Sequence, residues 1–289
     1  MITARATVKK LTPQQVEGYR HDGFLFPVPG LAADEAAAHL SVLDDIEAHI
    51  GSPLSRKDNG LWRSSPHVYL PQFDRLVRDA RIVDAVEDLI GPDLLVYTST
   101  FFIKEAGSPT FAAWHQDATY FGIRPHEHVT AWIALSDAGT VAGCMEVLSS
   151  KGQPRQFHHA AARLEHSING AGQTIVEKID EAGSVPMALK AGEFSMHHTL
   201  CVHRSAPNAA AHRRVGLGIS YIPTHCRLEG AYRLGAMLVR GEDRHGHFDL
   251  IPRPDAAFSP DGLARHSAGY QRYREHYREE EQRHEAMFA

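Results

Sequence analysis

The segment Trp114-His115-Gln116-Asp117 places an imidazole and a carboxylate two positions apart, shortly after a strand-like run, LLVYTSTFFIK. In extended backbone, residues two apart project from the same side, so His115 and Asp117 could reach one metal ion. His203, in MHHTLCVHRSAPN, lies 88 residues downstream beside another strand-like run. Two histidines and one carboxylate on one face of a metal, with the other positions open, is the arrangement of non-haem Fe(II) oxygenases. Arg214, in HRRVGLGISYI, follows His203 by eleven residues inside an apolar strand pattern. A guanidinium facing into a barrel is costly unless it meets an anion, and its fork suits a bidentate carboxylate such as that of 2-oxoglutarate.

Each signal alone is weak. With 20 histidines and 35 acidic residues, H-x-D steps arise by chance, and His197 and His198 stand beside His203 as competing ligands. Order along the chain, strand setting and the arginine in the last strand together make the pattern specific. A zinc hydrolase could use the same three ligands, with Arg214 clamping substrate instead. A binding module that had lost its chemistry would lack a ligand, and none is missing.

The elements that must position these residues form two blocks. Thr12, Pro13 and Gln15 make an N-cap, a first-turn proline and a capping-box partner for a helix to about Asp22. Helical spacing continues over Ala33 to His49 and over about Asp74 to Ile90, where Gly91-Pro92 stops it. From Leu94 the chain breaks into short β-branched and aromatic runs separated by Gly, Pro, Asp and Ser. The expected fold is mainly β with flanking helices, around a double-stranded β-helix (jelly-roll, cupin-like) core. One domain over residues 1–289 is expected, with a helical part at 12–92 and a core at 94–224. The polar stretch 151–185 reads as a lid over one mouth, and about 264–287 as a helix packing Tyr270, Tyr273 and Tyr277 on the body. Arg240, Glu242, Asp243 and Arg244 read as a salt-bridged turn.

Composition narrows the function classes. Hydrophobic residues are 43% and charged residues 22% of the 289, as in a packed globular protein, and the net charge of −5 offers no basic excess for nucleic acid. Cys144, Cys201 and Cys226 form no even set, the N-terminus has no secretory apolar run, and no segment is long enough to span a bilayer. A cytoplasmic enzyme with a small-molecule substrate, and no nucleic-acid or membrane partner, is expected.

The chain resembles the phytanoyl-CoA dioxygenase family of Fe(II)- and 2-oxoglutarate-dependent oxygenases. The likeness is carried by HDGFLFPVPGL, WHQDATYFG, HVTAWIALSDA, GCMEVL, HRSAPN and RRVGLGISYIPT, and it runs over nearly the whole chain. LVRGEDRHGHFDLIPRP is similar to a bacterial branch that includes dioxygenases of 2-aminoethylphosphonate and its N-methylated relatives. The resemblance implies iron on His115, Asp117 and His203, and 2-oxoglutarate on Arg214 and Ser205, with Lys104 as a looser match. It further implies O2 as oxidant, succinate and CO2 as products, and a small polar substrate: an aminophosphonate, or else a free amino acid or a natural-product intermediate. Halogenases of the family carry alanine or glycine where Asp117 stands, so hydroxylation is the implied outcome. Two departures are visible: VLSSKGQP replaces a common P-G-S-H-K, and Ala171 stands where the branch usually has a lid arginine. Candidate substrate contacts are Gln116, Tyr120, Trp132, Asn169, Gln173, His198 and Asn208, with a purely structural hydrogen bond as the competing role for Gln116.

Overall fold

The computed structural model describes residues 9–161, 164–168, 173–230 and 232–288. Thr12 opens α1 (Pro13–Asp22): its hydroxyl accepts from the Gln15 N–H while the Gln15 side chain accepts from the Thr12 N–H. This reciprocal box satisfies two of the N–H groups that a helix start leaves free, and Gly23, at φ 85°, closes the other end. β1 (Phe24–Pro29), α2 (Ala33–Ile50), α3 (Gly60–Arg63), α4 (Pro71–Leu76) and α5 (Ala80–Ile90) follow. The helix expected in one piece from about Asp74 to Ile90 is thus two. Asp79 interrupts it because its carboxylate accepts from the Arg81 N–H and caps a new helix, while Asp74 is buried and held by Arg78 at 3.0 Å and Arg253 at 2.7 Å.

The remaining elements in chain order are β2 (Leu94–Lys104), β3 (Ala112–His115), α6 (Ala118–Phe121), β4 (Ile123–Arg124), β5 (Val129–Ala134), β6 (Met145–Leu148) and β7 (His159–Ala161). After them come β8 (Gln173–Ile175), β9 (Val185–Met187), β10 (Glu193–His198), β11 (Val202–Ser205), β12 (Arg214–Pro223), β13 (Arg227–Leu228), β14 (Gly235–Arg240), β15 (Asp249–Leu250) and α7 (Pro260–Phe288). A large sheet has the order β1-β10-β5-β12-β2-β14-β15 and a smaller one β3-β11-β6-β9. They form a jelly-roll core with helices outside it. The large sheet recruits strands from beyond 94–224, namely β1 from the helical front end and β14 and β15 from the segment after it. Within the expected lid, β7 and β8 pair with each other; Asn169 and Ala171 lie outside the described residues. Arg240 pairs with Asp84 and Glu87 on α5, and only Arg244 and Glu242 form the expected turn pair.

Strand alternation decides what each face of the large sheet does. Phe101, Ile103, Ile133, Phe194, Met196 and Leu217 pack against Leu43, Ile46, Phe73 and Val86 of the helices. The opposite face carries His197, Thr130, Ser220 and Thr98 in register across β10, β5, β12 and β2. Two residues along the strands stand Ser195, Trp132, Gly218 and Thr100, and the far end carries Arg214 opposite Lys104. α7 buries His266, His276, Tyr277, Glu280 and His284, and no described helix is long and apolar enough to cross a membrane.

Candidate metal centre

His115 ends β3 and stands directly opposite His203 in the antiparallel ladder with β11, with ring centroids 4.1 Å apart. Each imidazole is tethered to its own strand: His115 Nδ1 lies 2.8 Å from the Ala113 carbonyl and His203 Nδ1 lies 3.0 Å from that of Cys201. With the proton on Nδ1 donated to a carbonyl, Nε2 keeps its lone pair for a cation. Burial lowers the pKa of both rings, that of His203 well below its ordinary value, which favours the neutral form a metal needs.

Asp117 reaches the pair differently from the extended geometry that the spacing implies. Its backbone is helical, at φ −64° and ψ −34°, because it is the residue on which α6 begins. Two hydrogen bonds hold this turn: Gln116 N–H donates to His159 Nε2 at 2.9 Å and Ala118 N–H to the Thr199 carbonyl at 3.0 Å. The turn returns the carboxylate to the imidazoles, and one ligand atom from each of His115, Asp117 and His203 lies within 4.8 Å of the others, so the three could hold one metal ion. Oδ2 accepts from Thr130 Oγ1 at 3.1 Å and lies 3.3 Å from His197 Nε2, while Oδ1 is 3.9 Å from His203 Nε2. Burial alone would raise the Asp117 carboxyl, but the His197 hydrogen bond and the surrounding imidazoles outweigh it and hold the group below the ordinary carboxylate range.

At the other end of the same face, Lys104 and Arg214 are 0% and 2% exposed. Lys104 Nζ donates to Ser205 Oγ at 2.7 Å and to the Ala206 carbonyl, and Arg214 Nη1 donates to the Gly143 carbonyl at 2.9 Å. Arg214 Nε has no partner, and among the described residues no carboxylate pairs with either cation. Burial, with the Arg214 charge beside it, brings Lys104 down to about 7, and burial brings Arg214 down to about 10. Two adjacent buried cations without a counter-ion are an expensive arrangement that an incoming dianion would relieve. Trp132 lies across β12 in the space that glycine leaves at position 216, where a Cβ would collide with its ring, and the ring centre is 5.4 Å from the Arg214 guanidinium.

The other candidate contacts are placed elsewhere. Gln116 is fully buried and spent on structure: its amide donates to the Arg155 and Leu200 carbonyls at 2.8 and 2.6 Å and accepts from Phe157 N–H at 2.7 Å. Asn208 donates to the carbonyls of Lys104, Glu105 and His212, clipping the end of β2 to its neighbouring loop. Tyr120 stacks on Tyr277 of α7 at 5.0 Å. His198 is turned away from the centre, with Nε2 2.6 Å from the His126 carbonyl and Nδ1 accepting from Leu200 N–H. Alternation along β10 puts His197, not His198, on the cavity face. Gln173 pairs through its backbone with Ala161. Thr130 carries no motif of its own, and only its alternation with Trp132 in HVTAW could have pointed to it.

A family model described as phytanoyl-CoA dioxygenase (PhyH) matches residues 19–216. Among curated proteins, the chain is 26% identical over 161 residues to a probable alpha-ketoglutarate-dependent hypophosphite dioxygenase of Stutzerimonas stutzeri; the match covers 54% of this chain and 55%, about half, of that protein. It is 21% identical over 220 residues to an ectoine dioxygenase of Streptomyces avermitilis, covering 68% of this chain and 74% of the relative. Among solved structures, the non-haem monooxygenase ThoJ in its apo form matches with a TM-score of 0.82 at 30% identity, covering 93% of this chain and 99% of that one. The family match runs from the end of α1 to the first residues of β12, and the chain belongs to the phytanoyl-CoA dioxygenase family of iron- and 2-oxoglutarate-dependent oxygenases.

Proposed function

We propose that this protein uses iron on His115, Asp117 and His203, and 2-oxoglutarate on Arg214, Lys104 and Ser205, to hydroxylate a C–H bond of a small polar metabolite. The observation that carries the reading is the pair of buried, uncompensated cations on the large-sheet face whose Thr130 and His197 contact Asp117 of the three-ligand cluster. The donor set fits Fe(II): two neutral imidazoles with free Nε2 atoms and one ionised carboxylate leave coordination positions open. The orphaned Arg214 Nε fits the far carboxylate of a dicarboxylic acid.

Bound iron and 2-oxoglutarate supply the chemistry, coupling reduction of O2 and decarboxylation to succinate and CO2 with insertion of one oxygen into the substrate. The protein's part is positional. Thr130 and His197 hold Asp117 Oδ2, which leaves Oδ1 turned toward the imidazoles. Lys104 and Arg214 neutralise the co-substrate, and Trp132 packs with its ring centre 5.4 Å from the Arg214 guanidinium. Substrates named for the relatives, hypophosphite and ectoine, are small and polar, which supports that size class. An aminophosphonate or a free amino acid is the reading for this chain.

Succinate release by the Fe(II)-loaded protein, screened against aminophosphonates, amino acids and betaines, tests the reaction. At least one member will raise succinate above the substrate-free background; no 2-oxoglutarate consumption with any of them, together with tightly bound zinc, would overturn it in favour of hydrolysis. Lys104 adds a pH signature. In the free protein it loses its proton near pH 7. The dianion binds the protonated form, so its affinity should fall as pH rises above about 7, by up to ~tenfold per unit. Calorimetry between pH 6 and 9 should show proton uptake on 2-oxoglutarate binding, and Lys104→Met should remove it.

A further inference from the structure

The metal end of the cavity face continues sideways. His197 and Thr130, which hold Asp117, are followed in the same row by Ser220 and Thr98. At about 4.8 Å per strand, Thr98 stands about 10 Å from Thr130. It is six residues, or about 20 Å, along β2 from Lys104. Thr98 borders a cavity of about 50 Å³ between β2, the loop at Ser64 and Ser65, and the first half of α7. At ~10–15 Å³ for each water-sized occupant, it has room for a head group of about four heavy atoms.

Its lining has a definite chemistry. No aspartate or glutamate contributes to it, and Arg265 is its single cation, with no ion-pair partner among the described residues. The Tyr97 hydroxyl is buried, in a residue 5% exposed, and has no hydrogen-bond partner. The Ser65 and Thr98 hydroxyls lie 3.2 Å apart. His67 and His266 are held by Ser99 Oγ and the Ser64 carbonyl at 2.7 Å each, and burial favours their neutral forms. Tyr273 adjoins Tyr97, with ring centroids 6.0 Å apart, and burial, with the Asp117 charge as a second influence, raises its phenol. A lining with one cation, several hydroxyls and no acid of its own suits an oxyanion, and the nearby carboxylates, Asp117 and Glu280, act on Tyr273 and Tyr97 from outside it.

We infer that this cavity is the head-group subsite for substrate, and that Arg265 and the Tyr97 hydroxyl bind there a small oxyanion: a phosphonate, sulfonate or carboxylate. The inference rests on the oxygenase reading only for its link to turnover. Its link to the metal ligands is the row itself, in which Thr98 is followed by Ser220 and by Thr130, the residue that donates to Asp117.

The test is calorimetric titration of the anaerobic, Fe(II)-loaded protein, saturated with 2-oxoglutarate, using methylphosphonate, methanesulfonate, acetate and ethylammonium as probes. If 2-oxoglutarate itself does not bind, the oxygenase reading fails in that separate measurement, and the probes are titrated into the Arg214→Met protein instead. At least one oxyanion should bind and ethylammonium should not. Arg265→Ala should weaken the oxyanion about tenfold or more, and Arg265→Lys should restore part of the loss. Tyr97→Phe should weaken it several-fold, with 2-oxoglutarate affinity and melting temperature unchanged in the Arg265 variants. Equal binding by wild type and Arg265→Ala, no oxyanion binding by wild type, or preference for ethylammonium each overturns the assignment.

Discussion

Arg214→Met will stabilise the substrate-free protein and nearly abolish 2-oxoglutarate binding. The two effects have one cause. In the free protein the guanidinium is buried beside Lys104, donates only to the Gly143 carbonyl, and leaves Nε without a partner. A methionine of similar volume removes that uncompensated charge, and replacement even of a buried ion pair by well-packed apolar residues is often neutral or stabilising by ~1–4 kcal/mol. In a chain of this size that corresponds to a rise in melting temperature of roughly 2 °C or more per kcal/mol. The dicarboxylate meanwhile loses its bidentate partner. Losing one member of a buried, hydrogen-bonded charge pair costs ~2–5 kcal/mol, or roughly 30- to several-thousand-fold in affinity. Arg214→Lys should recover little of it, since a point charge cannot reproduce the fork. Thermal melting with and without 2-oxoglutarate reads both effects. A variant that is destabilised but binds 2-oxoglutarate normally would remove Arg214 from the co-substrate pocket.

Alanine at His115 or His203 will bring succinate release to background, because each removes one of only three protein donors. Asp117→Ala leaves both imidazoles with their Nδ1 tethers intact, so weak metal binding and traces of turnover should survive. Thr130→Val and His197→Ala keep all three donors but release Asp117 Oδ2, and loss of such outer contacts typically costs ~10–100-fold in metal affinity or activity. The expected order of damage is therefore His115 or His203, then Asp117, then Thr130 or His197. Anaerobic Fe(II) titration alongside succinate assays checks it. Full activity in both His115→Ala and Asp117→Ala would end the assignment of these ligands.

Much of this site was legible because its chemistry depends on residue type. An acid two residues after a histidine, a distant second histidine and an arginine within an apolar strand are readable without coordinates, and the jelly-roll fold follows from the runs after Leu94. The candidates that the structure ties to its own backbone share a feature. Gln116, Asn208 and His198 are polar residues near the ligands or predicted loops, and nothing local says whether their hydrogen bonds go to substrate or to the chain. The structure spends them on carbonyls at Leu200, Lys104 and His126. Which of His197 and His198 faces inward depends on the phase of β10, which is set by its pairing with β5.

The sequence by itself determined the proposed donor set, the hand-over from helices to strands and the presence of a cation where an apolar strand would otherwise run. Only the tertiary structure decided how these meet. The β3–β11 register puts His115 opposite His203, the start of α6 swings Asp117 back to them, and the β12–β2 register sets Arg214 beside Lys104. The physical reason is that ladder pairing and burial are non-local. A strand's period fixes which residues share a face, but the energy of a buried charge depends on groups brought from 101 residues away, as between Lys104 and Ser205.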